Sequence, residues 1–326
     1  MRLLTYYRRT VFLFLCGMIP AFCGAQVTYP ARPVRIVVPF TPGGINDFAA
    51  RAIAVRLGES LGQPVVIDNR PSAGGVVGTE YVAQSAPDGY TLVAGSIGTH
   101  AINENLYAKL SYRTLRDFLP ITTLLDAPNL VVVHPSLPVR SIGDLITLAR
   151  RQPGKINYGS AGSGTATHLS AELFKSMTSV DIVHVPYRGA APSVVDLISG
   201  ELGVIFSTMP SSLAHVRSGR LRPVAVTGSR RSKVIPGVPT IDESGVQGYE
   251  FYGWVGLFAP IKTPPEVISR LYGDTAVILR TVDMRERFID QGGEPGGLAP
   301  LQFTNFIKNE IAKWGKVIRF AGIRQE

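Results

Sequence analysis

Four stretches of the chain bring together the residue types that let a backbone close around a small anion. They run Pro39-Phe40-Thr41-Pro42-Gly43-Gly44-Ile45-Asn46-Asp47, Asn69 to Gly78 with Ala73, Gly74 and Gly75 at its centre, Gly95-Ser96-Ile97-Gly98-Thr99-His100, and Tyr158 to His168. The last of these carries Ser160, Gly162, Ser163, Gly164 and Thr165 just before His168. Glycines allow the main chain to approach a ligand closely, and each stretch leads into a helical pattern. Its end therefore presents N–H groups that lack an intrahelical acceptor. Several such groups, backed by the helix dipole, hold a carboxylate or phosphate without any cationic side chain. Asp47 reads two ways: as a cap of the helix that follows, or as an acceptor for a ligand hydroxyl, amine or bridging water. His168, about one turn into its helix, can cap, pack or touch ligand.

Signatures of chemistry are missing where an enzyme would carry them. The glycines at 159, 162 and 164 are spaced in the reverse of the dinucleotide fingerprint, and there is no Walker sequence. Neither Ser160 nor Ser163 has glycines at both second neighbours, so no nucleophile elbow is present. The histidines at 100, 134, 168, 184 and 215 form no close pair, which leaves neither a metal site nor a cofactor to expect. A secreted hydrolase using Ser163, His168 and Asp47 is the enzymatic alternative, and no motif supports it.

The elements that must position these turns alternate in type. Val34 to Phe40, Val65 to Asp68, Thr91 to Ala94, Leu130 to His134, Ile156 to Gly159, Ile182 to Val185, Leu202 to Phe206 and Val224 to Val226 read as short, almost continuously apolar strands. Helical stretches such as Asp47 to Leu61 and Val76 to Gln84 separate them, which implies parallel βαβ units with both sheet faces covered. Ser141-Ile142-Gly143-Asp144 has the spacing of a capping box. Phe303, Phe306, Ile307, Ile311, Trp314, Val317 and Ile318 recur at helical spacing, a core stripe that leaves Lys308, Glu310 and Lys316 to solvent or a lobe rim. Asn129 to Pro135 and Phe251 to Pro260 look like crossings between two lobes, with residues 26–127 and 255–326 in one lobe and 128–254 in the other. Two crossings make a hinge and a cleft, and ligands of open α/β sheets lie beyond the carboxyl ends of the strands.

Arg2, Arg8 and Arg9 precede an apolar run from Val11 to Phe22 and a small-residue end at Cys23-Gly24-Ala25, the layout of a secretory signal cleaved after Ala25. The run is shorter than the ~20 residues a membrane span needs. Both cysteines, Cys16 and Cys23, lie within the signal segment, so the exported chain is expected to have no disulfide. The formal charge of +9 includes those three arginines and leaves +6, spread along the remainder rather than clustered, which argues against nucleic acid as a partner.

Taken in order, the motifs resemble a known family. Pro39 to Gly44 with Asp47 and Arg51, Asn69 to Gly75 with Gly78, Ala86-Pro87-Asp88-Gly89-Tyr90-Thr91-Leu92, Tyr158-Gly159-Ser160 to His168-Leu169, Val185-Pro186-Tyr187-Arg188-Gly189 and Val238-Pro239-Thr240 look like those of the Bug family. Its members are the periplasmic binding components of tripartite tricarboxylate transporters. The resemblance spans about Tyr29 to the C-terminal helix. It implies a type II periplasmic-binding-protein fold with two Rossmann-like lobes joined by two crossover strands and a ligand cleft between them. It also implies a small organic carboxylate as ligand, a membrane permease as partner, a periplasmic monomer and no catalysis. Carried over by position, Phe40, Thr41, Pro42, Gly43, Gly44 and Asp47 form one clamp. Ala73, Gly74 and Gly75 line the first lobe, and Ser160, Gly162, Ser163, Gly164, Thr165 and His168 form the second clamp; Ser96 is a candidate contact from its place in the third glycine-rich turn alone.

Two departures bear on specificity. Thr41 stands where the family commonly has Pro and adds a hydroxyl. Gly203 stands where it commonly has Asp, which removes a carboxylate near the end of a second-lobe strand, with Ser207 expected to supply a neutral donor instead. A receptor of the same fold that signals rather than transports is the other expectation to weigh.

Overall fold

The computed structural model describes residues 29–321. The export segment expected over residues 1–25, with both cysteines, lies outside the described residues.

Ten strands form the framework: β1 (Val34–Val38), β2 (Val65–Asn69), β3 (Thr91–Ser96), β4 (Phe118–Val133), β5 (Asn157–Ser160), β6 (Val183–Pro186), β7 (Val204–Thr208), β8 (Arg222–Val226), β9 (Tyr252–Pro260) and β10 (Glu294–Pro295). Their order is β2-β1-β3-β9-β4-β7-β5-β6, with β8 and β10 also paired to β4. β1 runs parallel to β2 and β3, and β5 runs parallel to β6 and β7. The two joining strands run against their neighbours. β9 is antiparallel to β3 and to the first part of β4, from Phe118 to Pro128, while Asn129 to Val133 of β4 pair antiparallel with β7 and β8. A uniformly parallel pattern is therefore corrected at β4 and β9. These strands carry the chain between the two halves, so they enter each sheet from the opposite end. β4 also starts earlier than expected, at Phe118. Register shifts after Pro120, Thr123 and Val131 bend it between the halves.

Alternation along the strands explains their continuous apolar character. Val34, Ile36 and Val38 of β1 pack with Ala49, Ile53 and Leu57 of the helix Ile45–Leu61, whereas Val37 joins a different core. In β4, Leu130 and Val132 face Val194, Leu197 and Ile205, while Val131 and Val133 face the other way toward Phe174 and Phe206. The inner strands β1 and β4 are thus covered on both faces, whereas the edge strands β2 and β6 are only partly buried, and burying an aliphatic side chain contributes about 1.5–3 kcal/mol.

The helix Pro300–Ala321 lies against this framework through Phe303, Ile307, Trp314 and Ile318. Lys308 and Lys316 are exposed, but Glu310 is not a solvent-facing residue as its position suggested. Its Oε2 accepts the indole N–H of both Trp254, from β9, and Trp314, each at 3.1 Å. The two N–H groups require an acceptor once buried, and they draw the carboxylate inward. Glu310→Ala should cost about 2 kcal/mol by leaving both indoles unpaired, and Glu310→Gln, which keeps a carbonyl oxygen, should cost less than half of that. Urea unfolding of the two variants measures the difference.

Candidate functional site

Phe40, Ser96, Ala161 and Thr208 stand at or just beyond the carboxyl ends of β1, β3, β5 and β7, and all four border one cavity between the two halves. Its volume is about 40 Å³, room for a few waters. Gly44, Ile45 and Asn46 enter from the first helix, Thr165, Ala166 and Thr167 from the helix Ala166–Thr178, and Ala190 from the helix Ala190–Ser199. Thr208 precedes the helix Met209–Arg217. Asn129 of β4 and Gly253 and Trp254 of β9 complete the wall. None of the fourteen bordering residues is charged. The positive ends of several helices thus meet in a small space walled otherwise by Phe40, Ile45, Trp254 and alanines, where a buried anion finds N–H donors and no competing carboxylate.

Hydrogen bonds inside the turns determine which amides remain for a ligand. In the Tyr158 to His168 turn, Ala161 N–H donates to Thr167 Oγ1 (2.8 Å), Gly162 N–H to Ser160 Oγ (3.1 Å), Gly164 N–H to His168 Nδ1 (3.1 Å) and Thr165 N–H to Gly162 O (3.2 Å). Gly43 N–H is likewise taken by Asp47 Oδ2 at 3.0 Å, and Gly75 N–H by Ser72 O at 3.1 Å. The N–H groups without an intrahelical acceptor are those of the first helical turns, at Ile45 and Asn46 and at Ala166 and Thr167.

Of the residues singled out from sequence, Phe40, Gly44, Ser96 and Thr165 border the cavity. The others stand around it. Asp47 accepts from Gly43 N–H, Arg51 Nε (2.9 Å) and Asn69 Nδ2 (3.0 Å). Although burial pushes its pKa up, these bonds hold the carboxyl below the usual carboxylate range. Thr165 caps its helix by accepting from His168 N–H. Ser160 Oγ lies 2.6 Å from His184 Nε2, and the His184 ring stacks on His168 at 4.1 Å. Burial pushes His168 down to about 4 and His184 to about 3, so both are neutral at ordinary pH. His168 Nδ1 must be unprotonated to accept from Gly164, which fixes its tautomer. Ser207 turns its hydroxyl to Thr208 O, and the cavity is met by Thr208 instead. Gly203 immediately precedes β7, at the end of the strand away from Thr208 and about 16 Å of extended chain from it. A Cβ there would meet Ile156 and Leu137, so a side chain at this position would lie away from the cavity.

The remaining turn residues bring the halves together. Ser211 Oγ donates to Gly43 O at 3.1 Å. A Cβ on Gly74 would lie 3.0 Å from Ser163 O, and one on Gly162, which has φ +123°, would lie 2.9 Å from Gly74 N. Gly189 lets Thr41 approach so closely that any side chain would collide with it, and Thr41 Oγ1 is sealed without a hydrogen-bond partner. Pro42 is exposed, and Ala73 opens the short turn beside Gly74. Asn46, Asn129, Thr167, Ala190, Thr208 and Trp254 also border the cavity, and no motif in the sequence marks them as ligand contacts. Their common signal is a place next to a strand end or on a crossing strand.

The fold and this site define a two-lobed solute receptor of the periplasmic-binding-protein type, with a closed cleft between its halves. Residues 49–323 match the model of the tripartite tricarboxylate transporter family receptor, TctC, and the chain belongs to that family, whose members bind solutes and are not enzymes. It is similar to the solved structure of Rpa4515 from R. palustris with adipate, at 42% identity and a TM-score of 0.89 over 91% of this chain and 99% of that one. The periplasmic binding protein BugD is 31% identical, with a TM-score of 0.87 over 91% and 100%. MatC (Rpa3494) from Rhodopseudomonas palustris, with bound malate, is 32% identical, with a TM-score of 0.84 over 89% and 100%.

Proposed function

We propose that this protein is an extracytoplasmic receptor that closes over a small organic carboxylate and hands it to the membrane permease of a tripartite tricarboxylate transporter. The observation that carries the reading is the cavity itself, bordered by helix starts from both halves and by no charged side chain. The structures of relatives with adipate and with malate support a carboxylate as the ligand class. In this reading the signal is cleaved near Ala25 and the mature chain works as a monomer in the periplasm. Its lobes are residues 26–127 with 255–326, and 128–254. Phe40, Gly44, Ser96 and Thr165 touch ligand. Thr41, Pro42, Gly43, Asp47, Ala73, Gly74, Gly75, Ser160, Gly162, Ser163, Gly164, His168 and Ser207 shape and close the clamps around it.

Lobe closure gives ligand binding a direct thermodynamic readout. A ligand at a hundred times its Kd stabilises the folded protein by about 2.7 kcal/mol. A thermal-shift screen of mono-, di- and tricarboxylates should therefore find at least one acid that raises Tm in a saturable way. A flat response to the whole panel would overturn the reading.

A further inference from the structure

Two asparagines, Asn46 from one half and Asn129 from the other, border the cavity. Asn46 is 4% exposed, and its Nδ2 donates to Ala94 O at 2.8 Å. Asn129 is 1% exposed, and its Nδ2 donates to Ala166 O at 3.1 Å and to Ser170 Oγ at 2.9 Å. A backbone carbonyl can only accept, so neither amide can be turned over without setting two oxygens against each other. The NH2 of Asn129 is thereby committed through both of its N–H groups, and that of Asn46 is anchored through one, which fixes which end of each amide is the oxygen. No donor among the described residues reaches Asn46 Oδ1 or Asn129 Oδ1, and neither oxygen is among the sealed polar atoms of the interior. The space both residues border is the cavity.

We infer that the Asn46 and Asn129 carbonyl oxygens form an acceptor pair that recognises a hydroxyl or ammonium on the ligand, making the preferred solute a hydroxy- or amino-substituted carboxylate. The inference rests on the receptor reading above and names the substrate class of that same site. Helix-start N–H groups take the carboxylate, and the two amide oxygens take the adjacent donor. Neutral oxygens suit this task, because an Asp or Glu in their place would repel the acid it sits beside. They also do not distinguish a hydroxyl from an ammonium, so both substitutions are accepted. An acid carrying only methylenes would close over these oxygens and leave them buried without a partner, which a desolvated site penalises heavily.

The test uses sets of acids matched in length and differing in one substituent: succinate with malate and aspartate, and adipate with 2-hydroxyadipate and 2-aminoadipate, each in both enantiomers. Affinities are measured by calorimetry on the mature protein after exhaustive dialysis. In at least one set, a hydroxy or amino acid should bind tenfold or more tighter than its unsubstituted parent. Parents that bind as tightly as their substituted partners in both sets would overturn the acceptor pair and leave the carboxylate receptor standing. Failure of every acid in both sets, together with a flat response to the wider carboxylate panel, would overturn the receptor reading and this inference with it.

Discussion

Gly98→Leu should abolish ligand binding while leaving a folded protein. Gly98 begins the short turn Gly98–Ile102 after β3 and has no backbone need for glycine, since its φ is not in the left-handed region. A Cβ there would lie 2.9 Å from Gly164 O and 3.2 Å from Thr165 Cα, both main-chain atoms of the opposite half. Those atoms cannot swing aside as a side chain would. The halves would be held apart by the added carbons, and helix starts that meet only on closure would no longer reach one ligand together. Affinity for whichever acid binds best should fall at least a hundredfold, about 2.7 kcal/mol. The ligand-free Tm should move by no more than about 3 °C, because the added side chain meets solvent when the halves part. Gly273, in the middle of the helix Pro265–Arg280, has open space where a Cβ would be added. Gly273→Ala should leave binding unchanged and stabilise the helix by roughly 0.5–1 kcal/mol. Undiminished binding by the Gly98 variant would show that closure does not bring these atoms together.

Acid should unfold the protein through its buried histidines. His100 is fully buried, stacked 3.8 Å from Phe258, and burial pushes its pKa down to about 3. His168 is held at about 4, by burial and then by Lys175. In the unfolded chain both return to the ordinary value of 6.5. Below that pH the unfolded state takes up protons that the folded state refuses. The stability present above pH 6.5 is lost as pH falls toward 4. At pH 5 each histidine accounts for about 2 kcal/mol of the loss. His184, held at about 3 by burial and by the neighbouring His168 and Lys175, acts in the same direction. Thermal scans should show Tm falling by on the order of 10 °C between pH 7 and pH 5. His100→Phe keeps an aromatic ring against Phe258 and should flatten part of that slope. A Tm independent of pH over this range would mean that the histidines are not kept neutral. Protonated His168 also cannot accept from Gly164 N–H, so the second clamp should loosen before the protein unfolds.

The strands of the two sheets were legible because β-branched runs buried on both faces leave an unbroken apolar signature, as in Val34 to Val38 and Val204 to Phe206. Phe118 to Pro128 carries no strand signature in the sequence. Its prolines at 120 and 128 and paired threonines lack that signature, and it is paired because β9 lies alongside it. Direction was likewise hidden, since antiparallel β4 and β9 carry the same residue types as their parallel neighbours. The helix at Ile45 begins two residues before Asp47 because Gly44 occupies the cap position with no side chain to announce it. In the site, the glycine-rich turns could be read, yet glycine marks where a main chain comes close to something and does not say to what. At Gly74, Gly98 and Gly162 the close neighbours include main-chain atoms of the opposite half. The cavity wall itself depends on Ala190, Thr208 and Trp254, ordinary residues whose neighbours in space are distant in sequence.

The chain contains two tryptophans, Trp254 and Trp314, and both donate to the one Glu310 carboxylate oxygen. Only Trp254 borders the cavity. A solute bound as proposed would change the polarity felt by one of the two indoles directly and reach the other only through the shared carboxylate. Occupancy of the receptor can thus be followed in ultraviolet light with no label attached.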